Sequence, residues 1–183
     1  MTTIIGLAGS LRAKSFNAAL LRAAVPLMPQ GTHLEIASIK GIPLYDGDVE
    51  DQDGIPSPVA ALKDRIAAAD GLLLVTPEYN NSIPGVFKNA LDWLSRPPAD
   101  SARVFANRRV ALIGASPGGF GTILAQNTWL PVFRTLGMQP WFNGRLMVAR
   151  AGSVFNEQGE LVDEKTRGQL QQFLQGFADF VKS

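Results

Sequence analysis

Strand-like apolar segments alternating with helix-like ones predict an α/β three-layer sandwich around a parallel sheet, and three observations carry that prediction. The run Gly71-Leu72-Leu73-Leu74-Val75-Thr76 has no polar alternation, as expected of a strand buried on both faces. Helix-period segments follow the strand-like ones at the spacing of right-handed βαβ crossovers. The 183 residues are 46% hydrophobic, enough for a full core, and no repeat, linker or low-complexity segment divides them, so residues 1–183 are expected as one domain.

Thr3 to Ala8 is short and apolar, β-branched at its start, and gives a first strand ending in Gly9-Ser10. Asn17 to Leu27 has helical apolar spacing and is stopped by Pro29 and Gly31. His33 to Ser38 alternates as a second strand, and the Gly/Pro/Asp-rich stretch from Gly41 to Pro58 reads as a long loop. A helix over Val59 to Ala69, with Ser57 as a candidate cap, leads into the buried run that is the third strand. Gly85 to Ser95 is the next helix, Arg109 to Gly114 the fourth strand, and Thr122 to Leu136 a further helix. Met138 to Phe142 and Leu146 to Ala149 are strand-like, and Asp163 to Val181 closes the chain as a helix. A five-stranded parallel sheet of this kind fits a flavodoxin-like order, 2-1-3-4-5, or a truncated dinucleotide fold.

Composition removes several functions. Seventeen Lys+Arg against sixteen Asp+Glu leave a net charge of +1, which does not favour wrapping a nucleic acid. The absence of Cys excludes disulfides, thiolate nucleophiles and Cys-ligated metal sites, and a single imidazole, His33, provides no His cluster, so no metal is expected. A Ser-His-Asp hydrolase would have to use His33, which the pattern places at the start of the second strand, away from the loops that matter below. No apolar run reaches the roughly 18–20 residues of a membrane span. The N-terminus reads as a strand rather than a signal peptide, so the expected location is cytoplasmic.

In an open parallel sheet the ligand sits beyond the carboxyl ends of the strands, where strand order reverses. Three loops converge there. The first, Gly9 to Asn17, precedes a helix whose unpaired N–H groups and positive dipole end suit an anion. Ser10, Ser15 and Asn17 add neutral donors, and Arg12 with Lys14 adds charge. Ser15 or Asn17 is also a plausible helix cap. The second loop, Pro77 to Gly85, offers the Tyr79 ring beside Asn80 and Asn81 between Pro77 and Pro84, a place for a flat heteroaromatic ring, although Asn-Asn-Ser is equally turn chemistry. Glu78 there is assigned no chemical step. The third loop, Ala115 to Gly121, is glycine-rich, so its backbone approaches a ligand without Cβ obstruction. It is a poor dinucleotide fingerprint. Position 124 is Leu, and no Asp or Glu occurs from Ser101 through Asn156 to bind a ribose.

Together, Gly9-Ser10-Leu11-Arg12 with Ser15 and Asn17, Pro77-Glu78-Tyr79-Asn80, Pro84-Gly85 and Lys88-Asn89-Ala90-Leu91-Asp92-Trp93 resemble the NADPH-dependent FMN reductase family, including the quinone and chromate reductases, over nearly the whole chain. The resemblance implies a flavodoxin-like fold and an FMN-dependent NAD(P)H oxidoreductase. Quinones or other small oxidised acceptors (chromate, azo or nitro compounds, free flavin) would be reduced through bound FMN in a ping-pong cycle, with NADPH or NADH as electron donor. It implies that Ser10, Arg12, Ser15, Phe16 and Asn17 bind the FMN phosphate, that Pro77, Glu78, Tyr79 and Asn80 contact the isoalloxazine, and that Ser116 and Gly118 complete the site. It also implies a homodimer or homotetramer. A flavin carries the redox chemistry itself, so no catalytic side chain is required. The competing reading is a flavodoxin-type electron carrier, which strong acidity would favour and a charge of +1 does not.

Two surface patterns remain. Arg103, Arg108, Arg109, Arg134, Arg145 and Arg150 lie in the acid-free stretch, whereas Asp46, Asp48, Glu50, Asp51 and Asp53 crowd one loop, so the two sets are either partners, a site for the extra phosphate of NADPH, or solvated. Val86, Phe87, Ala90, Leu91, Trp93 and Leu94 spread over a wider helical face than one sheet requires, which fits either contact of part of that face with a second subunit or a wide stripe buried within the chain.

Overall fold

The computed structural model describes residues 1–183. Strands β1 (Thr2–Ala8), β2 (Thr32–Ala37), β3 (Gly71–Val75) and β4 (Arg109–Ala115) pair in parallel in the order β2-β1-β3-β4, and the fifth position, beside β4, holds two short segments, β5 (Gln139–Pro140) and β6 (Leu146–Val148). The order is therefore the 2-1-3-4-5 expected, in an α/β flavodoxin-like sandwich. Thr3 pairs with His33 and Leu7 with Ala37, so the exposed His33 stands at the amino end of the sheet, opposite the loops of interest.

Alternation along each strand builds a core on both faces. Ile4, Leu73 and Val75 point toward α1 (Phe16–Ala24) and α7 (Glu164–Lys182); Ile5, Leu7, Leu72 and Leu74 point toward α3 (Ser57–Ala68), α4 (Gly85–Leu94) and α6 (Ile123–Thr135). Every residue of β3 is buried, as its unbroken apolar run demands.

The fifth strand is broken for a packing reason. Pro140 has no N–H to continue the ladder, and after Trp141 N–H bonds Val110 C=O at 2.8 Å the indole turns onto α7. There it meets Phe173 edge-on at 4.8 Å between ring centres. Gly144 and Gly176 leave it room, since a Cβ on either would lie 2.5 Å or 2.7 Å from the ring.

Two helices were not legible in the sequence. Within the expected loop, α2 (Gly47–Asp53) forms because Asp46 caps it, accepting the Asp48 N–H at 2.9 Å, and because Asp48 and Glu50 complement the positive end of its first turn. After Pro97, α5 (Pro98–Phe105) buries Val104 and Phe105. Ser57 does not cap α3: it is the first helical residue, and Pro56 precedes it at the cap position without a side-chain bond.

The breadth of α4 is used inside the chain. Trp93 is fully buried, donates from Nε1 to Pro43 C=O at 2.9 Å and meets the Tyr45 ring edge-on at 5.0 Å. Asn89 pins the same strap, accepting the Tyr45 N–H and donating to Pro43 C=O, both at 2.8 Å. Arg96 closes it, bonding Glu50 at 2.7 Å and holding that carboxyl below the usual carboxylate range.

The arginines of the acid-free stretch do not meet this acidic segment. Arg103 binds Asp100 and Asp64, Arg108 donates to the Val104 carbonyl of α5 and to the Ala67 and Ala69 carbonyls at the carboxyl end of α3, and Arg109 lies over the Phe180 ring. Lys63, buried in α3, reaches Asp100 at 2.5 Å and completes the link between α3 and α5.

Candidate active site

The loops leaving β1, β3 and β4 meet at the carboxyl end of the sheet. Gly9 must be glycine here: its N–H bonds Val75 C=O at 2.9 Å, and a Cβ would fall 2.2 Å from the Phe87 ring. Beyond it the chain rises into an open turn in which Ser10 Oγ accepts the Arg12 N–H at 3.3 Å, and Leu11, Arg12, Ala13 and Lys14 are exposed.

Ser15 ends the turn as the cap of α1, its Oγ accepting the Ala18 N–H at 3.2 Å while its C=O takes the Ala19 N–H at 2.9 Å. Of the first four helical N–H groups, those of Phe16 and Asn17 are left without an acceptor in the protein. With the helix dipole behind them, the Ser15 hydroxyl at the cap, and Ser10 and the exposed Arg12, which has no carboxylate partner, in the same loop, these groups are chemically suited to an anion. Phe16 turns away to stack on Phe155 at 5.9 Å, which brings the segment Gly152 to Gly159 alongside Arg12 and Arg22 as the far wall of an open groove.

Asn17 differs most from expectation. Its side chain is 4% exposed and grips the backbone of Ala115, Nδ2 donating to the C=O at 2.8 Å and Oδ1 accepting the N–H at 2.9 Å. The carboxamide commits one N–H and one lone pair to Ala115 and is buried, while the backbone N–H of Asn17 is among those left open at the start of α1.

In the second loop Tyr79 and Ser82 exchange two backbone bonds, of 3.1 and 3.0 Å, around Asn80 and Asn81 at φ 50° and 62°. This is a tight left-handed turn, the geometry for which Asn-Asn is suited. Pro77 and Pro84 are buried at its two ends. The turn presents Tyr79 outward, 43% exposed, with its hydroxyl donating to Ser10 Oγ at 3.3 Å. The first and second loops therefore touch.

Glu78 serves the third loop. The cap position of α6, Thr122, makes no capping bond with its side chain; instead Glu78 Oε2 accepts the N–H groups of Leu124 and Ala125 at 2.8 and 3.0 Å. Its carboxylate thus neutralises the positive end of α6 from a neighbouring loop. Ser116 is fixed at both backbone ends, its N–H to Val148 C=O at 2.9 Å and its C=O from Ala151 N–H at 3.0 Å, while Gly118 C=O accepts the Arg150 N–H at 2.8 Å. Gly118 and Gly119 are exposed.

The structure thus brings Ser10, Arg12, Ser15, Phe16, Pro77, Glu78, Tyr79, Asn80, Ser116 and Gly118 to one end of the sheet, with Asn17 behind them. Sequence reasoning gave no site role to Ala115, to the contact between Gly9 and Phe87, or to Phe155. Only Gly9, in the Gly-Ser pair that ends β1, carried a local signal.

Residues 2–153 match the family model described as NADPH-dependent FMN reductase. The chain belongs to the NADPH-dependent FMN reductase family. An NAD(P)H-dependent FMN reductase of Pseudomonas aeruginosa is 42% identical over 179 residues, covering 98% of this chain and 95% of that one. A 2-hydroxy-1,4-benzoquinone reductase of a Burkholderia species is 40% identical over 174 residues, covering 95% and 93%. Among solved structures, FerB of Paracoccus denitrificans, a flavoenzyme NAD(P)H:(acceptor) oxidoreductase, superposes with a TM-score of 0.88 at 32% identity, covering 100% of this chain and 98% of that one. The family assignment gives the three loops a shared context; α7 lies beyond the matched segment and serves the core.

Proposed function

We propose that this chain is an FMN-dependent NAD(P)H oxidoreductase that reduces quinones and similar small oxidised acceptors. The observation that carries the reading is one juxtaposition: two unpaired N–H groups at the start of α1, flanked by hydroxyls and Arg12, stand next to an exposed aromatic ring tied to the same loop by the Tyr79–Ser10 bond. A phosphoester needs the first and a planar ring the second. The relatives' activities, NAD(P)H-dependent FMN reduction and quinone reduction, agree with it.

In this reading the N–H groups of Phe16 and Asn17, with Ser10, Arg12 and Ser15, hold the phosphate. Tyr79 lends its face to the ring, while Pro77 and Asn80 keep the turn in shape and Glu78 secures it against α6. Ser116 and the open backbone at Gly118 close the far side. FMN, when bound, would supply the redox chemistry, by which a hydride equivalent from the donor, together with a proton from solvent, reduces the acceptor by two electrons. The protein's task is placement, which requires no acid–base dyad, and its one imidazole stands at the opposite end of the sheet.

The wider reading is one FMN-binding domain over residues 1–183, assembled as a homodimer or homotetramer. Exposed Phe120, Leu124 and Phe142 favour assembly. Dependence on a nicotinamide nucleotide, which cells keep inside, supports a cytoplasmic location. Initial-rate kinetics with NADPH and benzoquinone test the core of the proposal: parallel double-reciprocal lines support it, and no quinone-dependent NADPH oxidation after FMN loading overturns it.

A further inference from the structure

The clasp between Asn17 and Ala115 joins residues 98 apart in sequence and lies behind the anion site. A bond from Thr76 N–H to Ile113 C=O, 2.8 Å, carries the β3–β4 pairing one step past the end of β3. The chain then turns away at Pro77, and Ala115, two residues further along β4, has both of its backbone groups taken by the Asn17 carboxamide. One side chain therefore replaces a strand. It does so from the second residue of α1, so the clasp sets where the open N–H groups of Phe16 and Asn17 stand relative to the end of β4. Ser116, the next residue, is itself fixed to Val148 and Ala151.

We propose that Asn17 is a positioning residue: its side chain, by holding Ala115, aims the backbone N–H groups of Phe16 and Asn17 at the phosphate of the flavin nucleotide and never touches that phosphate. This rests on the anion-site reading above. Aspartate, the same shape, keeps an acceptor for the Ala115 N–H but turns a second acceptor toward its C=O and adds negative charge next to the phosphate. Serine offers a hydroxyl in the right neighbourhood, yet is too short to bridge both groups of Ala115. A side chain that bound phosphate directly would be partly replaced by serine; one that positions would not.

The test measures affinities of the apoprotein for FMN and for riboflavin, which lacks the phosphate, in wild type and in Asn17→Ala, Asn17→Ser and Asn17→Asp, with the melting temperature of each. We expect at least a tenfold loss of FMN affinity in all three variants, no rescue by serine, and riboflavin affinity within threefold of wild type. Serine restoring FMN affinity, alanine binding FMN as wild type does, or an equal loss of riboflavin would overturn the proposal. Wild type binding riboflavin as tightly as FMN would overturn the anion-site reading itself. A measurement on the wild type stands apart from variant folding. The Asn17 side-chain amide resonances should be protected before FMN is added and shift little afterward, while the Phe16 and Asn17 backbone amides shift; the reverse pattern contradicts the proposal.

Discussion

The Tyr79 phenol donates to the Ser10 hydroxyl across 3.3 Å, and this contact fastens the loop leaving β1 to the loop leaving β3. It is long and solvent-facing, so its strength is small; its consequence is geometric, because it ties a flat ring to the loop that leads into α1. Removing only the hydroxyl and removing the ring should therefore differ. Tyr79→Phe is expected to change FMN affinity by less than threefold. Tyr79→Ala should weaken it roughly tenfold, since a stacked aromatic pair contributes about 0.5–1.5 kcal/mol beyond its buried area. Fluorescence titration of apoprotein measures both; equal losses would place the effect in the hydroxyl.

Glu78 caps α6 with two N–H bonds to one oxygen. Glu78→Ala should lower stability by about 1–2 kcal/mol, the range for loss of a helix cap, and Glu78→Gln, which keeps an acceptor, by less. Urea denaturation gives the two midpoints. An alanine variant as stable as wild type would show that the cap contributes nothing.

Arg12 is exposed and has no carboxylate partner, so replacing it should leave the fold intact. Arg12→Gln is expected to melt within a degree or two of wild type and to bind FMN several-fold more weakly. The salt dependence of FMN affinity should also become shallower, because one phosphate-facing cation is gone. Titrations at two ionic strengths decide it, and an unchanged salt slope would remove Arg12 from the site.

Three carboxyls are held below their ordinary pKa: Asp100 by Arg103 and then Lys63, Glu50 by Arg96, and Asp163 by the Thr166 hydroxyl and N–H. A depressed carboxyl stabilises the folded state fully above its unfolded pKa, near 4, and loses that contribution as pH falls through the folded value. Melting temperature should therefore be level from pH 7 to about 5 and fall below about 4. Asp100→Asn should flatten part of that acid limb; identical limbs would exclude Asp100 as a contributor.

Much of the fold was legible because it depends on periodicity: β3 reads as buried on both faces, and the βαβ spacing gives a parallel sheet, whose order the loops and the family resemblance then narrow to 2-1-3-4-5. The two missed helices have other causes. Asp46 and the acids after it make α2 through local capping, which looks like loop composition, and α5 begins behind two prolines. The site was legible in location and less so in role. Asn17, Glu78 and Ser15 sit where motif spacing puts them, yet the Asn17 carboxamide is directed by Ala115 and the Glu78 carboxylate by α6. Partners 98 and 46 residues away leave no trace in a local pattern. The broad apolar face of α4 had a similar fate, since the strap at Pro43 and Tyr45 covers it.

In the proposed function, FMN held at the start of α1 and against Tyr79 relays electrons from a nicotinamide nucleotide to a free acceptor. The most direct test of that relay is anaerobic rapid mixing of FMN-reconstituted protein with NADPH, followed by benzoquinone, while visible flavin absorbance is recorded. The account predicts bleaching on the first addition and full return of colour on the second. Protein-bound FMN that keeps its colour in excess NADPH and NADH would contradict it.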